Sequence, residues 1–62
     1  MNIRTEIRET ESHIKAMTSD TREQIAILSK AQALTEGIAN REHYLTVMAI
    51  AKSRIMREAG IL

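Results

Sequence analysis

At 62 residues, with nine Lys and Arg against eight Asp and Glu, the chain is one domain at most. Its formal charge of +1 lacks the basic excess that holds a protein to nucleic acid by bulk charge. It contains no Cys, which removes disulfides and Cys-based zinc sites as staples. A chain this short buries only about 60% of its unfolded surface on folding, so association with a second chain is the remaining way to stabilise it.

The apolar set is mostly Ile, Ala, Leu and Met. Pro, Phe and Trp are absent, and Tyr44 is the only aromatic residue. No Asn-Gly or Asp-Gly pair separates alternating apolar runs, so the composition reads as helix and not as hairpins of strands.

Residues 1–2 are expected to fray. From residue 3 the spacing Ile3, Ile7, Thr10, Ile14, Met17, Thr21 marks an amphipathic helix with a narrow seam, weakened by its two Thr. Glu11 and Lys15 stand at i,i+4 with the acid first, the favourable order for a helix-surface pair. Residues 18–24 then offer a helix start: Asp20 with Glu23, or Thr21 with Gln24, has capping-box spacing. A helix beginning at Asp20 would divide the first arm near 18–20. No Gly or Pro forces a break there, however, and the seam resumes in register at Leu28, which favours one continuous arm.

Beyond residue 25 the stripe widens through Ile25, Ile27, Leu28, Ala31, Leu34 and Ile38. Gly37 suits the left-handed residue that ends a helix, and Asn40 suits the N-cap of the next. A short connection of this kind gives an antiparallel hairpin. The last helix is expected from Asn40 to about Ala59. Within it, 44–51 is apolar at every position but Thr46. One stripe carries Tyr44, Met48, Ala51 and Ile55, a second Leu45, Ala49 and Met56, and a third Val47 and Ile50. Only the line His43, Thr46, Ser53, Arg57 is polar, and Ile50 interrupts it. A helix apolar nearly all round must be covered nearly all round, and one partner helix covers only about a third of it. The rest points to a second chain.

No constellation for catalysis, a cofactor or a metal is read from this sequence. His13 and His43 are 30 residues apart, and no His-x-x-x-His or Glu-x-x-His pair exists. The carboxylates lie among arginines on what should be a solvated face, without the cleft or like-charge pair that perturbed chemistry needs. Ser12, Ser19, Ser29 and Ser53 have no base at a useful helical spacing and no Gly-rich turn. An enzyme is therefore not expected. Arg4, Glu6, Arg8, Glu9, Glu11 and Lys15 argue against a signal peptide, and no apolar run approaches the ~18 residues that span a bilayer. A soluble, cytoplasmic protein without membrane contact is the expectation.

The fold expected is thus all-α: a single helical domain over 1–62, a helical hairpin whose first arm carries the division signal near 18–20, dimerising into a small bundle. The dimer core is placed at Leu28, Leu34, Leu45, Met48 and Ile55. Tyr44, Val47, Ala51, Arg54 and Arg57 are the candidates for gripping a larger protein, by apolar anchors at helical spacing and by residue types that dominate binding hot spots. In size and plan the chain resembles small plasmid- and phage-type regulators that work as helical dimers. That resemblance implies stoichiometric regulation, in which a module without an active site acts by occupying a surface. The function expected is a non-enzymatic regulator that inhibits or modulates a larger protein, needing no cofactor.

The alternative is a helix-turn-helix-like transcriptional regulator. Ala33, Gly37 and Ile38 would form its turn, Asn40, Arg41 and His43 would read bases, and Lys52, Arg54 and Arg57 would meet phosphates. A purely structural assembly subunit is a third reading.

Overall fold

A computed structural model describes residues 2–62, and the expectation of fraying at Met1 lies outside them. Among the described residues there are three helices and no strand: α1 Ile3–Met17, α2 Thr21–Ala33 and α3 Arg41–Glu58. No helix among them is long and apolar enough to cross a membrane.

Asn2 does not fray. It caps α1, its side-chain oxygen accepting from Arg4 N–H at 2.9 Å. The continuous first arm is also corrected, because the chain breaks at 18–20. Thr18 is extended, and its hydroxyl accepts from Asp20 N–H at 3.2 Å and donates to Glu23 Oε2 at 2.6 Å. Asp20 caps α2 by accepting from Arg22 N–H at 2.9 Å, and Gln24 Nε2 donates to Thr18 O at 2.8 Å. Short polar side chains offer the backbone local partners that compete with helix, and here they satisfy it completely enough to stop one helix and start another. The resumed seam register was the weaker signal. Gln24 is buried in the process.

The second turn, 34–40, follows the expected place. The end of α2 tightens, with Leu34 N–H reaching both Lys30 O and Ala31 O, and Thr35 Oγ1 donates to Gln32 O at 2.7 Å. Gly37 has φ +80°, a conformation that costs glycine nothing. Asn40 precedes α3 as expected but stands in the left-handed region itself, and its side chain makes no capping bond. Asn tolerates that region better than other non-glycine residues.

Cross-helix pairs fix the topology. Glu6 with His43, Glu11 with Arg54 and Lys15 with Glu58 rise together along α1 and α3, so these helices are parallel. Gln24 lies near Ile55, Ser29 bonds Lys52, and Leu34 lies near Met48, so α2 runs antiparallel to α3. The result is an up-down-up bundle in which α3 packs along both other helices while α1 and α2 scarcely meet.

This arrangement changes the role of several residues. The core is Ile7 and Ile14 of α1, Leu28 of α2, and Val47, Ala51 and Ile55 of α3, with Ile25, Ile27 and Met48 packed against it. Leu28 is 1% exposed and Ala51 0%. The covering that the apolar α3 requires comes largely from its own chain, because the break at 18–20 supplies the third helix. Leu28 and Ile55, read above as dimer core, lie inside the single chain, as do Val47 and Ala51, read above as partner contacts.

Candidate protein-interaction surface

Each of α1 and α2 packs along α3 while the two scarcely meet, and apolar side chains stand exposed at the end of the bundle where α1 begins, α2 ends and α3 begins. Tyr44 lies on the helical stripe that leads through Ala51 to Ile55, so it continues the core line of α3. It is nevertheless 47% exposed. Its ring separates two open clefts. On one side α1 supplies Glu6, Glu9, Thr10 and His13 over Val47. On the other, α2 and its turn supply Ala31, Leu34, Thr35 and Ile38 beside Met48, around a cleft of about 390 Å³. Leu34 is 68% exposed, and Ile38 is about half exposed. These side chains were legible as apolar in the sequence, but only the packing of the three helices leaves them open.

Polar ties decorate the α1–α3 seam. His43 Nε2 pairs with Glu6 Oε2, and the His43 ring meets the Tyr44 ring edge-on with centroids 5.8 Å apart. Lys15 Nζ donates to Glu58 Oε2 at 2.8 Å. That hydrogen bond, reinforced by the Lys15 charge, holds the Glu58 carboxyl below the usual glutamate range. Lys15 thus partners Glu58 and not Glu11, as its spacing had implied.

Glu11 is the second carboxylate correction, because it is 6% exposed and not on a solvated face. Arg54 Nε stands 2.7 Å from Glu11 Oε1. The N–H is not directed at that oxygen, which has no hydrogen-bond partner, so the attraction is between charges and not a directed bond. Arg54, read above as a partner contact or phosphate ligand, is committed to this internal pair.

Of the remaining sequence candidates, Leu45 and Met48 are half-buried, while Leu34, Tyr44 and Arg57 are exposed. Sequence reasoning placed Ile50 on an apolar stripe with Val47 and as an interruption of a polar line, but not among the partner contacts. The structure leaves it exposed on the outer face of α3, two turns from Arg57. Lys52 donates to Ser29 Oγ at 3.0 Å, tying α3 to α2. Among the described residues no three His, Asp or Glu side chains are grouped so as to hold a metal ion. Comparison with protein-family models, with curated proteins and with solved structures found no match for this chain.

Proposed function

We propose that this protein is a non-enzymatic regulator that works as a homodimer and acts by binding a larger protein. One observation carries the reading. Among the described residues the large apolar side chains left exposed (Ile3, Met17, Leu34, Ile38, Tyr44, Ile50, Ile61, Leu62) outnumber the six that form the core. Single exposed apolar residues are ordinary, but Leu34, Ile38 and Tyr44 line one cleft together, and such a cluster marks an interaction surface. The open end, with Leu34, Ile38 and Tyr44, serves the dimer. The outer face of α3, with Ile50 and Arg57, is the surface offered to the other protein, in the manner of a helix laid in a groove.

The helix-turn-helix reading has less support. The 34–40 connection is longer than the turn of about three or four residues that such motifs use. Arg54 and Lys52, two of its three phosphate-contacting candidates, are engaged within the chain.

A tagged protein captured from lysate with and without nuclease tests the reading. The expected result is a near-stoichiometric protein that survives nuclease and is lost from Ile50→Asp and Arg57→Glu, both of which remain helical and dimeric. Recovery of nucleic-acid-dependent material alone overturns it in favour of a DNA-binding regulator.

A further inference from the structure

The charges of this nearly neutral chain are not mixed evenly over its surface. Arg4, Arg8, Glu11 and Lys15 follow one another at helical spacing along one flank of α1. Two of them show where that flank lies. Glu11 stands 2.7 Å from Arg54 and Lys15 stands 2.8 Å from Glu58, so the flank borders α3. On α3, Ile50, Arg54 and Arg57 follow at the same kind of spacing. The two helices run parallel, Ile50 lies one turn before Arg54, and Arg8 lies one turn before Glu11. Arg8 and Ile50 therefore stand at the same height on adjacent helices.

This ledge carries five basic side chains and two carboxylates, whereas the rest of the chain carries four basic and six acidic ones. Both carboxylates of the ledge are already paired. Arg4, Arg8 and Arg57 are exposed, and none of them belongs to an ion pair among the described residues. Of the other carboxylates nearby, Glu6 and Glu9 line the cleft on the opposite flank of α1, and Glu42 lies two helical turns before Ile50. Three uncompensated guanidinium groups thus share one face with an isoleucine that is 38% exposed.

Resting on the reading of the α3 outer face above, we infer that this ledge binds an acidic amphipathic helix of the larger protein. Four of the five basic residues are Arg, whose planar fork matches a carboxylate with two hydrogen bonds. The apolar side chain decides among anionic partners. Ile50 gains by leaving water only against another apolar group, which a protein helix supplies and a phosphate backbone does not. One isoleucine is also far short of the apolar face with which a helix enters a membrane surface. From Arg4 to Lys15 the ledge runs about 17 Å, or three helical turns, a length that a single partner helix covers. That helix sets an apolar residue on Ile50, and carboxylates on its two margins meet Arg4 and Arg8 of α1 and Arg57 of α3.

Fluorescence anisotropy of labelled probes titrated with the full-length chain tests the inference. The probes are an amphipathic helical peptide with Leu along one face and Glu along both margins, its counterpart with every Glu replaced by Gln, and a DNA duplex. The wild type is expected to bind the Glu peptide saturably, and the Gln peptide and the duplex about tenfold more weakly or less. Arg8→Glu and Ile50→Asp replace exposed side chains, so each keeps its helicity by circular dichroism and is expected to weaken the Glu peptide about tenfold. Arg22→Glu changes the net charge as much as Arg8→Glu but lies on α2, and is expected to leave the affinity within about twofold. Equal losses from Arg22→Glu and Arg8→Glu show attraction by net charge alone and overturn the inference. Equal affinity for the Glu and Gln peptides, or no binding of either, also overturns it. Tighter binding of the duplex overturns it in favour of nucleic acid. The reading on which it rests is checked separately: a lysate protein lost from Ile50→Asp and Arg57→Glu but retained by Arg8→Glu leaves that reading intact and removes the acidic partner.

Discussion

The two ends of this bundle are built from similar residues and come out differently. At the loop end, α1 and α2 converge on the C-terminal half of α3, enclosing Ile14, Leu28, Ala51 and Ile55. Polar groups there are locally satisfied: Asp20 caps α2, Gln24 reaches Thr18 O, and Lys15 holds Glu58. At the other end, Leu34, Ile38 and Tyr44 are as apolar as anything inside, yet they face solvent. Packing position decides this, not hydrophobicity, since Met17 beside the loop is also 58% exposed. The lesson is that the two ends bury their apolar residues unequally, and that Leu34, Ile38 and Tyr44 form the surface proposed above for association.

That contrast can be broken most directly at the closed end. Leu28→Ala removes the most deeply buried large side chain and is expected to cost about 3 kcal/mol, enough to unfold most of a domain this small. Urea denaturation at fixed protein concentration reads it. Ala51→Leu overfills a site with no free surface and is expected to cost about 2 kcal/mol in the same assay.

The internal ion pair gives a sharper test of what the closed core tolerates. Arg54→Ala leaves the Glu11 carboxylate buried without a partner and is expected to cost about 1–2 kcal/mol, a figure reduced because Arg54 is itself half exposed. Replacing both residues by Met is expected to be close to neutral, since a buried ion pair is often no better than an apolar pair of similar volume. A double variant as unstable as Arg54→Ala would show that the pair, and not the charge left behind, stabilises the fold.

Asp20→Ala is expected to cost about 1 kcal/mol by leaving the first turn of α2 uncapped. It should also shift the balance at 18–20 toward the continuous helix that the seam register favours, which amide exchange across 18–22 would report. The smallest effect concerns pH. The Glu58 carboxyl titrates below its ordinary value of 4.5 because Lys15 stabilises the charged form. Its contribution to stability is therefore present above the unfolded glutamate range and is lost as pH falls through the lowered folded value. A carboxyl titration followed by NMR should show that displacement, and Lys15→Ala should return Glu58 toward the ordinary range.

The closed and open ends were unequally legible. Both α1 and α3 could be read from their periodicity, and the bounds of α3 fall within a residue of those expected. The capping residues at 18–24 were also in plain view. Their weight was misjudged because sequence patterning treats the break and the continuous seam as equals, while the folded chain adds Gln24 and Thr18 bonds that only one of them can make. That single decision moved Leu28, Val47, Ala51 and Ile55 from an interface to the interior. Glu11 was missed for a related reason. Its partner Arg54 is distant in sequence, and no local pattern marks a glutamate as buried.

By itself, then, the sequence determined an all-helical chain with a turn at Gly37, a capping signal near residue 20, and more apolar surface than one hairpin can bury. These follow from local propensity and side-chain period, which act over a few residues. The tertiary structure alone decided that there are three helices packed up-down-up, which apolar residues the chain covers for itself, and that Leu34, Ile38 and Tyr44 are left open. Those outcomes depend on packing across the whole bundle, which is invisible to any local window of sequence.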